Sequence, residues 1–284
     1  MSECTHDCST CSQNCASRQQ PESLIEKPHE LSNIKKVIGV VSGKGGVGKS
    51  LVTSLLAVTM QRRGFKSAVL DADITGPSIP KAFGIKEKAM GTENGILPCK
   101  TKTGIEVMSV NLLLENDTDP VVWRGPVIAG AVKQFWTDVV WGEVDYMFVD
   151  MPPGTGDIHL TMISEIKLDG AVIVSTPQQV AVADVVRGVE MFRHEQVAVP
   201  VLGVVENMAW FTPKELPNNR YYIFGKGGAA RYAEEVGVDL LGEVPIIQDI
   251  MQGADDGVPA VNTHPQVAEV YQQIAQKVVD KIGK

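Results

Sequence analysis

Residues 43–50 read Gly43-Lys44-Gly45-Gly46-Val47-Gly48-Lys49-Ser50, a fit to G-x-x-x-x-G-K-[ST]. Glycines at this spacing let backbone N–H groups turn inward around phosphate oxygens, and a helix beginning there adds positive potential. Lys49 would neutralise the β- and γ-phosphates of a nucleotide, and the Ser50 hydroxyl would sit on Mg²⁺. The stretch Gly43, Lys44, Gly45, Gly46, Val47, Gly48, Lys49, Ser50 and Leu51 is therefore expected to cradle ATP. Two acidic, glycine-containing segments follow, Asp71-Ala72-Asp73-Ile74-Thr75-Gly76-Pro77-Ser78 and Asp150-Met151-Pro152-Pro153-Gly154-Thr155-Gly156-Asp157. Asp150, ending a hydrophobic run, suits a Walker-B carboxylate that acts on Mg²⁺, through water or directly. Asp73 is placed to orient an attacking water. Asp157 reads as a helix N-cap, and for Asp71 a cap and a site role both stand open.

A second cluster is made of thiols. Four of the five cysteines, Cys4, Cys8, Cys11 and Cys15, fall in the first 20 residues in the pattern Cys-x3-Cys-x2-Cys-x3-Cys. A disulfide scaffold would spread its cysteines through the fold, whereas close-set thiolates suit metal. On one helical stripe they would extend about 16 Å, too long for one small centre, so a loop wrapped around a metal is expected. Iron–sulfur is the leading reading, with zinc and simply reactive thiols as alternatives. His6 is a spare donor or a solvated side chain. Cys99 stands alone and reads as structural.

These groups need elements to hold them. Val37–Val41 is a short apolar run of the kind that forms a buried parallel strand, and 50–63 has helical spacing closed by Arg62-Arg63-Gly64. Strand-like runs recur at 67–70, 104–110, 145–149, 171–175, 199–205 and 239–242, with helical patterns such as 180–193 and 229–236 between them. That alternation predicts an α/β fold, a doubly wound and mainly parallel sheet with helices on both faces. Residues 1–34 read as a polar, cysteine-containing tail and 35–284 as one P-loop ATPase domain. The helical stripe at 266–282 lacks Trp or Phe anchors, so packing is preferred to membrane binding. With 34 acidic against 26 basic residues the net charge is −8, which argues against nucleic-acid binding. No long apolar span and no secretory n- or h-region is found, so a cytoplasmic protein is expected.

Lys44 inside the phosphate loop resembles the deviant Walker A of the ATPase class that includes Mrp/ApbC proteins, division-site ATPases and the nitrogenase iron protein. Asp71–Ser78, Trp123-Arg124-Gly125-Pro126, Asp150–Asp157, Thr176-Pro177-Gln178-Gln179 and Glu206-Asn207-Met208 resemble the Mrp/ApbC iron–sulfur cluster carriers in particular. The resemblance runs from about Lys35 onward. It implies a homodimer with two ATP sites, in which Lys44 reaches the partner's nucleotide. Asp73 would be the switch-I carboxylate, Asp150 with Gly154 switch II, and Asn207 an adenine ligand. Arg124 would line the dimer interface or the cleft, or form a surface ion pair. The implied activity is slow ATP hydrolysis coupled to holding a [4Fe–4S] cluster and passing it to apo-proteins.

One departure stands out. Family members usually carry Cys-x-x-Cys before a Tyr-Ile-Phe-Gly element, yet residues 211–225 contain no cysteine. The bridging cluster site does not carry over, which turns attention to the tail. The aromatic residues Trp210, Phe211, Tyr221 and Tyr222 at the ends of this loop read either as a docking patch or as lid packing. The competing reading is a regulatory switch ATPase of the partitioning or septum-positioning kind, without a cluster. That would call for a membrane helix or a basic DNA-binding surface.

Overall fold

Strand β1 (Asn33–Ser42) shows why the chain folds as a layered sheet. Its Ile38 and Val40 point into one core cluster and Val37 and Val41 into another, the period-2 alternation of a strand covered on both faces. The computed structural model describes residues 25–74, 76, 78–114, 125–154, 156–195, 197–247 and 265–283. Around β1 lie α1 (Lys49–Arg62), β2 (Ser67–Asp71), the short α2 (Ile79–Ala82), β3 (Met90–Thr92), β4 (Gly95–Leu97), β5 (Cys99–Lys100) and β6 (Glu106–Met108). Then come α3 (Gly125–Thr137), β7 (Glu143–Pro153), α4 (Asp157–Glu165), β8 (Gly170–Ser175), α5 (Gln179–Arg193), β9 (Val201–Phe211), α6 (Gly228–Glu235), β10 (Leu240–Ile246) and α7 (Pro265–Ile282).

The main sheet has the order β10-β9-β8-β1-β7-β2-β6-β5. Every pairing in it is parallel except β5 on β6. This is the doubly wound sheet expected, with β1 at the point where the strand order changes direction. The antiparallel β5 edge and the β3–β4 hairpin around Glu93-Asn94 are additions that the hydrophobic pattern does not announce. Helices α1 and α7 cover one face and α3, α4, α5 and α6 the other. In α7, Val267, Tyr271, Ile274, Ala275, Val278 and Val279 are all buried, at the spacing of one helical stripe. Burying each large apolar side chain contributes roughly 1.5–3 kcal/mol, which fixes this helix against α1 and β10.

β1 begins at Asn33, inside the stretch that composition reads as tail. The residues before it are tied to the body. Glu26 N–H donates to Glu165 O at 2.8 Å, its carbonyl accepts from Trp136 Nε1 at 2.9 Å, and its carboxylate meets Lys133 at 2.6 Å. No helix among the described residues is long and apolar enough to cross a membrane. Cys4, Cys8, Cys11 and Cys15 lie outside the described residues, as do Trp123 and Arg124.

Candidate nucleotide site

The phosphate loop leaves the carboxyl end of β1 and enters α1 through Gly48, whose φ is +82°. A Cβ there would also stand 2.3 Å from Asn207 Nδ2, so geometry and space both demand glycine. That Asn207 amide, from β9, donates to Val47 O at 2.9 Å and braces the loop from behind. No side chain caps the start of α1, which leaves its first-turn N–H groups for an anion.

Asp150 is fully buried at the centre of the site. Its Oδ1 lies 2.8 Å from Lys49 Nζ and accepts from Thr53 Oγ1 at 2.8 Å, while Oδ2 accepts from Ser50 Oγ at 2.6 Å. Lys49 also stands 3.7 Å from Asp73 Oδ2. Lys49 is thus ion-paired with both carboxylates, and its ammonium, with three N–H donors, has capacity left for a further acceptor. Ser50 and Asp150 set two hard oxygen donors side by side, a set that suits Mg²⁺.

Asp71 is no helix cap. It lies in register with Asp150 across β2 and β7, accepts from Ser109 Oγ at 3.0 Å, and takes the Asp73 N–H at 3.2 Å. Burial, then the charge of Asp150, holds its carboxyl well above the usual carboxylate range, with Lys49 and Ser109 opposing. Its structural work is to shape the turn that presents Asp73.

Two more contacts frame the site. Lys44 Nζ donates to Gln178 Oε1 at 3.1 Å, and Gly154 N–H donates to Ser42 O at 2.8 Å. The structure thus brings Lys44, Lys49, Ser50, Asp73 and Asp150 together at the carboxyl ends of β1, β2 and β7, with Asn207 behind the loop. Residues 33–279 match the family described as NUBPL iron-transfer P-loop NTPase.

The chain belongs to that family. It is 41% identical to the iron-sulfur cluster carrier protein of Methanocaldococcus jannaschii, over 99% of this chain and 98% of that one. It is 44% identical to the mitochondrial iron-sulfur protein required for NADH dehydrogenase of Arabidopsis thaliana, over 88% of this chain and 79% of that one. Among solved structures, a nucleotide-binding protein from Archaeoglobus fulgidus, in complex with ADP, matches with a TM-score of 0.70 and 44% identity. That match covers 79% of this chain and 87% of the other. The cell division ATPase MinD of Pyrococcus furiosus shares the fold at 21% identity and a TM-score of 0.62, covering 86% of this chain and 98% of its own.

In this NUBPL-family chain the cysteine-free loop is nonetheless built. Phe211 and Tyr221 exchange two backbone hydrogen bonds of 2.8 Å that close it. The Arg220 guanidinium lies 4.2 Å from the Trp210 ring centroid, and the Lys226 ammonium 5.0 Å from that of Tyr222. The aromatic residues therefore divide: Trp210 and Phe211 are half-buried and line a cleft of about 580 Å³, while Tyr221 and Tyr222 are exposed. Among the described residues no group of three or more His, Cys, Asp or Glu is arranged to hold a metal. Cys99, the cysteine among them, is buried, and its thiol meets the Glu87 carbonyl at 3.4 Å.

Sequence reasoning missed several partners. Thr53 falls one helical turn beyond Lys49, so the helical period could have placed it on the Asp150 face. Ser109 carries no local signal of its role, and Gln178, though inside the quoted 176–179 segment, carries none that it meets Lys44. Asp157 is the first helical residue of α4, and Gly156 holds the N-cap position assigned to it from sequence.

Proposed function

We propose that the protein is a cytoplasmic, homodimeric ATPase that carries an iron–sulfur cluster and delivers it to apo-proteins. The observation that carries this reading is similarity over nearly the whole length of relatives named as cluster carriers, joined to an intact Lys49–Ser50–Asp150 constellation. The switch-ATPase alternative has likeness of fold alone behind it, at 21% identity.

In this reading Lys49, a buried ammonium paired with Asp150, takes the β- and γ-phosphates with its remaining donors. Ser50 and Asp150 would hold Mg²⁺, whose charge would offset that of the phosphate oxygens. Asp73 orients a water for in-line attack on the γ-phosphorus, the bond to the β–γ bridging oxygen breaks, and ADP and phosphate leave. Asn207, its amide nitrogen engaged by Val47, offers its oxygen to the adenine amino group. Lys44, held by Gln178 in the single chain, exchanges that neutral partner for the nucleotide of the second subunit. The [4Fe–4S] cargo is assigned to Cys4, Cys8, Cys11 and Cys15, which are four of the five cysteines in the sequence, the fifth being the lone Cys99.

Anaerobic reconstitution with iron and sulfide, followed by Mössbauer spectroscopy, tests the cargo. The full chain should show a [4Fe–4S] signal that a variant with all four tail cysteines changed to serine lacks. Equal cluster content in both would move the cargo off the tail. Lys49→Ala should abolish ATP turnover, and Lys44→Ala should do so while sparing much of the nucleotide affinity. Parental turnover in Lys44→Ala would remove the cross-dimer role.

A further inference from the structure

The end of β7 beyond Asp150, with the bend that follows it, is anchored on two sides. Toward the phosphate loop, Gly154 N–H is bonded to Ser42 O. Toward α4, the Pro152 carbonyl lies 2.8 Å from Nε2 of His159, a side chain only 2% exposed. A carbonyl only accepts, so the ring holds its proton on Nε2 and donates. A Cβ on Gly154 would stand 4.0 Å from His159 Cε1, which puts the imidazole against the turn it holds.

That tautomer leaves Nδ1 with a lone pair that makes no hydrogen bond of ordinary geometry among the described residues, the Gly156 backbone being a further polar group near the ring. An unsatisfied buried acceptor is costly, and a leucine of similar volume would avoid the cost. The bond to Pro152 is what the imidazole provides and an apolar side chain of similar volume would not. Burial also draws the ring's pKa below its ordinary value, in keeping with a neutral donor.

We infer that His159 is a positioning residue of the nucleotide site, whose Nε2–H fixes the Pro152 carbonyl and so sets where Asp150 and Gly154 stand against the phosphate loop. The inference rests on the ATPase reading for its consequence in turnover, but not for the anchoring itself. The test compares His159→Leu, which fills the space without a donor, with His159→Gln, whose amide can still reach a carbonyl. Two readouts are needed: amide hydrogen exchange across residues 150–156 in the nucleotide-free full chain, and kcat and KM for ATP.

In His159→Leu, exchange across 150–156 should quicken about tenfold while peptides from α1 and β8 keep the parental rate. The same variant should lose roughly tenfold in kcat with KM within about twofold, and His159→Gln should recover most of both effects. Parental exchange in His159→Leu, or identical behaviour of the Leu and Gln variants, would show that the ring only fills space and would overturn the proposal. Faster exchange with parental kcat would equally overturn its part in the nucleotide site. If the parent protein turns over no ATP, the ATPase reading falls, and the exchange comparison still decides whether His159 anchors the turn.

Discussion

Thr53→Val tests how the buried carboxylate is held. The change is nearly isosteric, so it opens no cavity and removes one hydroxyl. That hydroxyl donates to Asp150 Oδ1 at 2.8 Å, and Asp150 has no solvent to replace it. A hydrogen bond to a charged acceptor is worth about 1.5–3 kcal/mol. Valine returns part of this through its second methyl, up to about 0.8 kcal/mol. The net loss should be about 1.5 kcal/mol, or a fall in Tm of about 3–6 °C for a chain of this size. Thermal and urea denaturation without nucleotide would measure it. In an Asp150→Asn background the acceptor is neutral, its hydrogen bond is worth about 0.5–1.5 kcal/mol, and the penalty should shrink by about 1 kcal/mol. A neutral Thr53→Val, or an equal penalty in both backgrounds, would refute the claim that Thr53 acts through Asp150.

Two further outcomes follow from buried polar atoms. The Tyr271 hydroxyl is buried in the α7 stripe with no hydrogen-bond partner among the described residues, so Tyr271→Phe should stabilise by about 1 kcal/mol, seen as a higher urea midpoint at constant m. A lower midpoint would mean that the hydroxyl is satisfied after all. Glu206 accepts from Ala229 N–H at 2.7 Å while its Oε1 is buried with no hydrogen bond of ordinary geometry among the described residues, and burial lifts its pKa against the backbone N–H groups of the α6 start. A raised carboxyl contributes stability that is full below its unfolded pKa of about 4.3 and lost as pH rises through the folded value. Glu206→Gln does not titrate, so its Tm advantage over the parent should be largest at neutral pH and shrink toward about pH 4. An advantage that grows on acidification would reverse the sign.

What the sequence disclosed depended on distance along the chain. The phosphate loop, the β1–α1 unit and the stripe of α7 are local patterns, and each stands where periodicity and glycine spacing put it. Asp150 was legible for the same reason, as an acid ending an apolar run. The bonds that tune the site are different in kind. Lys44 meets Gln178 across 134 residues, and Asp71 meets Ser109 across 38, by strand register and loop packing that no local pattern encodes. Helix α3 was not read from sequence, since Gly125 and Gly130 weaken the local helical signal, while Pro126 falls in the first turn where proline is tolerated. The β3–β4 hairpin is too short and too exposed to leave an alternating apolar signature.

The packing of α7 on α1 also has a kinetic side. Helix α1, which carries Lys49 and Ser50, shares its core with Val267, Tyr271 and Ile274, more than 200 residues later. During synthesis the side of α1 that faces α7 therefore stays uncovered until residues beyond 265 have left the ribosome, while its other side packs on β1, β2 and β7. Pairings that join such remote segments are slow to form and leave intermediates open to aggregation. A nascent chain stopped before residue 265 would have every residue of the phosphate loop and still lack the wall that steadies its helix. Competence to bind nucleotide should accordingly appear late and abruptly in translation, as an all-or-none property of the completed sheet and its two helical layers.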